Sequence, residues 1–206
     1  MRSVAFNQTT ITPSKIVCVG RNYLKHIHEL NNQVPDEPVL FIKPNSSLSD
    51  CLVIPANRIL HYEAELSFMV IDHHLKAVAI GLDLTDRALQ TTLKQKGLPW
   101  EKAKAFDSSA VFSKFILLED ESLIKHLSFA LYINNQLKQK GDYAHMIYKP
   151  QMLIYHIEQY FSMLSGDILM TGTPEGVGEI KLGDTFKVEL YLNEKMLLRQ
   201  SWQASL

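Results

Sequence analysis

Three acidic residues have the chemistry and the spacing to bind a metal ion. In LHYEAELSFMV, residues 60–70, side chains alternate as in a β-strand, which places Glu63 and Glu65 on one face. A second strand-like segment, AVAIGLDLT, places Asp83 beside small neighbours that leave room for close approach. Converging carboxylates raise one another's pKa unless a cation neutralises them. Oxygen ligands favour Mg²⁺ or Mn²⁺, with Ca²⁺ as a further candidate, over zinc.

The simpler alternative is that these acids are solvent-exposed surface residues with no functional role. A Glu-x-Glu pair in a strand is more often solvated than part of a site. The apolar opposite face of residues 60–70 and the third acid, Asp83, argue for a site. His61 shares the face of the glutamates, where it either orients a metal ligand or is a simple polar residue on a wet rim. Spacing alone leaves both questions open.

Strands must position these acids, and the sequence pattern predicts a β-rich α+β fold. The predicted strands are 15–20, 37–44, 60–70 and 75–85, and the predicted helices are 86–96 and 151–164. Thr85 or Asp86 caps the first helix, and Gly97 ends it. The apolar face of the second helix consists of Leu153, Ile157, Tyr160, Phe161 and Leu164. The pair Asn134-Asn135 predicts a hairpin turn.

Length and composition exclude several classes of protein. The chain has 206 residues, no repeat and no linker, so we expect residues 1–206 to form a single catalytic domain. The net charge of −1 argues against nucleic acid or a membrane surface as partner. Two cysteines are too few for a disulfide framework, and neither a signal-type h-region nor a run of 18 apolar residues occurs. We therefore predict a cytoplasmic protein.

Six motifs, in their order along the chain, carry a family resemblance. They are IVCVGRNYLKHIHE, PVLFIKP, HYEAEL, GLDLTDRALQ, KGLPWEKAKAFD and GDILMTGTPEGVG. From about residue 15 to about residue 190 the chain resembles the fumarylacetoacetate hydrolase family, and in particular its acylpyruvase branch. The resemblance implies a rolled, mixed β-sandwich with few helices, usually a homodimer, and a single Mg²⁺ or Mn²⁺.

The resemblance also implies roles for individual residues. Glu63, Glu65 and Asp83 match the metal ligands of the family. His26 and Glu29 match a general-base pair on a short lid helix, where their i, i+3 spacing puts both side chains on one face. In a mobile loop His28 would serve as well as His26, but the motif register favours His26.

Further positions match groups that contact the substrate. Lys104 matches an active-site lysine, and the sequence AKAF distinguishes it from Lys102. The matched substrate-binding positions are Arg21, Arg87, Gln90, Thr171, Gly172 and Thr173. Without the resemblance, the two residues of this set that lie in the predicted helix 86–96 would be interpreted as exposed. The segment TGTPEGVG lacks the GK[ST] of a phosphate-binding loop, so a nucleotide site is not predicted.

These matches predict a divalent-metal-dependent hydrolase that cleaves a C–C bond in a 3-acylpyruvate or related β-diketo acid, as acylpyruvate and fumarylpyruvate hydrolases do. His26 with Glu29 would activate water, and Lys104 would help to stabilise the departing pyruvate enolate. The same enolate arises in the tautomerisation or decarboxylation of oxaloacetate and in isomerisation of the 2-hydroxyhepta-2,4-diene-1,7-dioate type, so these activities stay open as alternatives. A non-catalytic binding protein that keeps the metal is a third possibility. In each case the expected partner is a small 2-oxo acid.

Overall fold

Strands make up 43% of the chain and helices 17% in a computed structural model that describes residues 1–206. The strands of the first half are β1 (Val4–Phe6), β2 (Thr9–Ile11), β3 (Lys15–Gly20), β4 (Val39–Pro44), β5 (Leu48–Ser49), β6 (Leu60–Tyr62), β7 (Ala64–Ile71), β8 (His74–Asp83) and β9 (Thr85–Asp86). Those of the second half are β10 (Ala110–Phe112), β11 (Ile116–Leu117), β12 (Leu127–Ile133), β13 (Gln136–Asp142), β14 (Ile168–Met170), β15 (Gly178–Glu179), β16 (Thr185–Leu192) and β17 (Lys195–Gln203).

Four short α-helices accompany the strands. They are α1 (Leu24–Glu29), α2 (Arg87–Gln95), α3 (Glu101–Lys104) and α4 (Pro150–Ile157), with 3-10 turns at Asn45–Ser47 and Glu121–His126. The longest of these helices has nine residues, and none has the length and apolar character needed to span a membrane.

A mixed eight-stranded sheet carries most of the core. Its strand order is β4-β3-β14-β7-β8-β10-β5, with β11 also paired to β8. β14 runs parallel to β3 and antiparallel to β7, which makes the sheet mixed. Both faces are buried: Leu66 and Phe68 of β7 point into one apolar cluster, and Met69 points into another. The alternation that the sequence shows in residues 60–70 therefore separates two buried faces.

A second sheet covers one face of the first. The antiparallel strands β13-β12-β16-β17 contribute Phe129, Leu131, Phe186 and Val188 to the cluster that contains Leu66. A small sheet of order β15-β6-β9 and the β1-β2 hairpin complete the structure. The predicted β-rich α+β fold, a rolled mixed sandwich with few helices, is confirmed.

Local predictions are mostly confirmed. β3 has the predicted bounds, and the Asp86 side chain caps α2 by accepting a hydrogen bond from Leu89 N (3.0 Å). Gly97 follows α2 with φ +62°, a left-handed conformation that favours glycine at a helix end. Asn134 and Asn135 have φ values of 51° and 65°, as expected for a tight hairpin turn.

The predicted helix 151–164 is wrong in its second half. α4 ends at Ile157, and the chain continues in turns in which Tyr160 N donates to Ile157 O. Leu153 and Ile157 are buried as expected, but Tyr160 and Leu164 are mostly exposed. The apolar spacing in this segment therefore reflects exposed apolar side chains rather than one buried helix face.

Candidate active site

The three acids meet where the central sheet gives way to a cavity. Glu63 lies between β6 and β7, Glu65 in β7, and Asp83 at the end of β8. Glu65 pairs with Gly81 across the strands, and Asp83 N donates to Glu63 O (2.8 Å). One carboxylate oxygen from each acid lies within 4.8 Å of the others, and all three residues are buried. The convergence that the sequence suggested is present in the structure.

Two cations pair with Glu63 and Asp83 from the cavity side. Lys104 Nζ donates to Glu63 Oε2 (2.8 Å), to Asp83 Oδ2 (2.6 Å) and to Thr85 Oγ1 (2.7 Å). Arg87 forms an ion pair with Glu63 Oε1 and donates to Gln90 Oε1 (2.7 Å). Lys104 is almost fully buried, whereas Lys102 is exposed, so the structure supports the register chosen from the sequence.

Lys43 approaches Asp83 from the protein interior. This fully buried residue of β4 places Nζ 2.9 Å from Asp83 Oδ1 and 3.0 Å from Ser109 O, to which it donates a hydrogen bond. Lys43 lies in the motif PVLFIKP, but the sequence alone predicts no role for it. A lone charged residue within an apolar strand was the available signal.

The neighbouring charges give the two glutamates opposite protonation behaviour. Burial acts to raise the pKa of Glu63, but the positive charges of Lys104 and Arg87 outweigh it and hold that pKa well below its usual range. The pKa of Glu65 is raised, first by burial and then by the negative charges of Asp83 and Glu63. Glu65 has no ion-pair partner, and its Oε2 accepts only from Gly172 N (2.7 Å). Glu65 is therefore the acid whose ionisation most needs a further cation.

The donor set fits a hard divalent ion. Every potential ligand in the cluster is a carboxylate oxygen, and no histidine or cysteine belongs to it. Asp83 Oδ1 is buried and lies 2.9 Å from Lys43 Nζ without accepting a hydrogen bond from it, and Glu65 has no ion-pair partner. Such an ion would neutralise Glu65, whose ionised form is disfavoured by burial and by the neighbouring carboxylates.

Helix α1 places a histidine–glutamate pair above the acids. His26 is buried and lines the cavity, and its Nδ1–H donates to Glu29 Oε2 (3.0 Å). Glu29 Oε1 accepts from Gly176 N (2.9 Å), which ties the helix to the loop after β14. His28 is exposed and outside the cavity. The pairing of His26 with Glu29 thus has the predicted geometry.

Other predicted substrate contacts divide into two groups. Arg21, Arg87, Gln90 and Thr173 line the cavity, and Gln90 is buried, so the interpretation of the α2 residues as exposed surface is wrong. Thr171 and Gly172 do not line the cavity. The Thr171 hydroxyl donates to Leu66 O (2.8 Å), and the Gly172 N–H is taken by Glu65, so both hold β7 in place.

His61 lies beside the site but not in it. It is half-buried in β6, does not line the cavity, and makes no hydrogen bond through Nδ1. Burial lowers the pKa of His61, and the positive charge of Arg87 lowers it further. His61 makes no hydrogen bond to Glu63 or Glu65, so the structure gives no support to the alternative that His61 orients a metal ligand.

Two buried amides that the sequence did not reveal fix the loops of the site. Gln139 accepts from Ala64 N (2.9 Å) and donates to Thr173 Oγ1 (2.8 Å), which joins the start of β7 to the loop after β14. Asn22 donates to Thr171 O (2.8 Å) and accepts from Tyr148 N (2.7 Å). Their partners are between 34 and 149 residues away in the sequence, so no local pattern identifies them.

Comparison with known proteins gives a consistent family. A sequence profile described as "Fumarylacetoacetate (FAA) hydrolase C-terminal" matches residues 15–200. Oxaloacetate tautomerase YcgM of Escherichia coli (strain K12) is 42% identical over 191 residues, 85% of this chain and 87% of the relative. The mitochondrial oxaloacetate decarboxylase of Dictyostelium discoideum is 35% identical over 192 residues, 85% of this chain and 88% of the relative.

A solved structure adds a ligand-bound relative. Fumarylpyruvate hydrolase from Pseudomonas aeruginosa, in complex with Mn²⁺ and pyruvate, superposes with a TM-score of 0.87 at 27% identity and covers 100% of this chain and 96% of its own. Its Mn²⁺ and the acidic triad seen here together support divalent-metal binding.

These relatives correct the predicted reaction. The prediction that hydrolysis of an acylpyruvate is the main activity is wrong, because the relatives at 42% and 35% identity are a tautomerase and a decarboxylase of oxaloacetate. They favour the alternative that the sequence left open. A histidine–glutamate pair can move a proton as readily as it can activate water, so its presence did not distinguish the two reactions.

Proposed function

The chain belongs to the fumarylacetoacetate hydrolase family, and from this membership we propose that it is a divalent-metal-dependent enzyme that interconverts the enol and keto forms of oxaloacetate. One observation carries the proposal: a buried three-carboxylate cluster and His26, which is hydrogen-bonded to Glu29, face the same cavity. The acid cluster, with a bound metal ion, could stabilise an enolate, and His26 could transfer a proton to it.

The reaction requires a proton at one carbon atom. Conversion of enol to keto removes the hydroxyl proton at C2 of oxaloacetate and adds a proton at C3, so the net proton count is unchanged. The Nδ1 atom of His26 is engaged by Glu29, which leaves Nε2 as the free ring nitrogen. We assign His26 Nε2, the acceptor nitrogen of this tautomer, to take the hydroxyl proton from C2 and to deliver it to C3, while Glu29 accepts from Nδ1–H and fixes the tautomer.

The remaining residues hold the substrate and its developing charge. Glu63, Glu65 and Asp83 would hold Mg²⁺ or Mn²⁺, and when bound such an ion supplies Lewis acidity toward an enolate oxygen. Lys104 adds a positive charge at the same end of the cavity. Arg87, Gln90 and Thr173 line the walls. The N–H groups of Arg87 and Gln90 would donate hydrogen bonds that orient the substrate, whereas the Thr173 hydroxyl donates to Ala64 O (2.9 Å).

Decarboxylation of oxaloacetate is the second candidate, because one relative carries that name. Loss of CO₂ needs the same stabilisation of an enolate but no proton donor during C–C cleavage. The presence of His26 in the cavity, paired with Glu29, favours tautomerisation, which depends on such a donor.

The test measures enol consumption and pyruvate release in the same reaction. Purified protein with Mn²⁺ is mixed with enol-enriched oxaloacetate, while loss of enol absorbance and release of pyruvate are recorded. We expect fast loss of enol without matching pyruvate. The variant His26→Asn should slow enol loss by about 100-fold or more, the usual contribution of general acid–base catalysis. His28→Asn, two residues away and exposed, is the matched control.

Two results would refute the proposal. Pyruvate release that equals enol loss would assign the protein to decarboxylation. Enol loss no faster than in a protein-free solution would show that the protein has no tautomerase activity.

A further inference from the structure

Lys94 is a cation in the cavity that the proposed reaction does not use. It lies four residues after Gln90 and seven after Arg87 on α2, so the three side chains share one helix face. All three line the cavity. Lys94 Nζ lies 4.7 Å from the centre of the Trp100 ring, and the ammonium makes no hydrogen bond or ion pair.

The cations of the cavity fall into two sets. Lys104 and Arg87 are neutralised by Glu63 and Asp83 at the acidic end. Lys94 and Arg21 have no acidic partner. Arg21 donates only to Asn32 Oδ1 (3.2 Å), and its Nε is buried without an acceptor. One part of the cavity therefore carries two positive charges that no acidic side chain contacts.

Holding this charge is unfavourable in the free protein. The pKa of Lys94 is lowered to about 8, first by burial and then by the positive charges of Arg21 and Arg87. Lys96, at the same end of the helix, is exposed and does not line this cavity. An anion between Lys94 and Arg21 would relieve the repulsion and satisfy the buried guanidinium nitrogen.

We propose that Lys94, together with Arg21, receives the carboxylate of the substrate that lies farthest from the acid cluster, and so selects 2-oxo dicarboxylates over 2-oxo monocarboxylates. The inference rests on the proposed function, since it assumes that a 2-oxo acid binds with its other end at Glu63, Glu65 and Asp83. Phe41 and Trp100 form apolar walls beside Lys94, which limit water and strengthen a charge pair.

Binding to the Mn²⁺-loaded protein tests the inference without relying on turnover. Dissociation constants are measured by calorimetry for oxaloacetate and for its 4-methyl ester, which lacks only the distal charge. The wild-type protein should prefer oxaloacetate by about 10-fold to 100-fold, the value of a hydrogen bond between charged groups. Lys94→Met should remove this preference by weakening oxaloacetate binding alone.

Two control variants complete the design. Lys94→Arg retains the charge and should retain most of the preference, and Lys96→Met removes a charge from the same helix end and should leave it unchanged. The inference is overturned if Lys94→Met keeps the wild-type preference or weakens both ligands equally. A Lys94-dependent preference without enol conversion would support the inference and reject the proposed function. Normal enol conversion without a preference for oxaloacetate over its ester would support the proposed function and reject the inference.

Discussion

Lys43, Lys94 and Lys104 lie at three depths of one site. Lys43 is fully buried beneath Asp83, Lys104 stands between Asp83 and Glu63, and Lys94 is partly exposed over Trp100. Only Lys104 was singled out from the sequence. The other two lie in segments that were interpreted as a plain strand and a plain helix, and a helical or strand period does not show which charges face inward.

Replacing Lys43 should destabilise the fold. Lys43→Met keeps an unbranched side chain but leaves the buried Asp83 carboxylate without this partner. Breaking a buried pair in this way costs about 3–5 kcal/mol, whereas Lys102→Met at an exposed position should stay within about 0.5 kcal/mol of wild type. Urea unfolding of the metal-free proteins measures both. A loss no larger than that of Lys102→Met would show that Lys43 contributes little to stability.

The pKa of Lys94 gives substrate binding a pH dependence. Below about 8 the free protein carries a charged Lys94, and above that value the charge is lost, so KM for oxaloacetate should rise as the pH increases through this range. The other charged groups that act on Lys94 are Arg21, Arg87, Glu63 and Lys104. Lys94→Arg should flatten the rise, because arginine stays protonated. An identical KM–pH profile in wild type and variant would contradict the assignment.

Among the elements, β7 and β8 do most to assemble the site. Asp72 and His73 form the turn between them with positive φ, and the resulting register sets Glu65 opposite Gly81. The sequence pattern predicted both strands and the shared face of the two glutamates. It did not predict the interruption at Glu63, because that break depends on Gln139, which accepts the Ala64 N–H from another sheet.

Helix α1 should loosen when its tether to the loop after β14 is removed. Glu29→Ala loses the hydrogen bonds to His26 and to Gly176 N. Amide hydrogen exchange within Leu24–Glu29 should become faster, since local opening then breaks fewer contacts. Lys25→Ala is the control, because its 3.4 Å ion pair with Glu175 is exposed and adds little. Unchanged exchange in Glu29→Ala would show that the tether does not hold the helix.

Gly172 combines an unusual conformation with close neighbours. Its φ is +93°, and a Cβ there would lie 2.8 Å from Asn22 Cβ and 3.0 Å from Val19 O. Gly172→Ala should therefore cost more stability than Gly97→Ala, where φ is +62° and nothing lies within 4 Å.

We expect about 1–2 kcal/mol for Gly97→Ala from backbone strain alone, and a further loss of about 1–3 kcal/mol for Gly172→Ala from overpacking. Chemical unfolding of both variants gives the comparison. Equal losses would mean that the loop after β14 adapts without disturbing β7.

At the scale of the whole molecule, the cavity draws on segments distant in sequence. The lining residues come from the segments 19–32 and 83–104, together with Phe41, Glu63, Glu65 and Thr173. Ordered motifs identified most of these residues through the family resemblance. Spacing could not place Lys94, Lys43 or Gln139, because their roles depend on which distant strand or loop lies opposite. The single domain, the homodimer and the cytoplasmic location stay predictions.

The proposed reaction and the proposed role of Lys94 both require that the cluster of Glu63, Glu65 and Asp83 binds a divalent metal ion. A calorimetric titration of Mn²⁺ into chelator-treated protein tests it most directly. We expect one ion bound per chain, with at least about 10-fold weaker binding in Glu65→Gln and unchanged binding in Glu194→Gln, which alters an exposed turn. If the wild-type protein binds no Mn²⁺, or if Glu65→Gln binds it as tightly as wild type, Glu63, Glu65 and Asp83 do not form the proposed metal site.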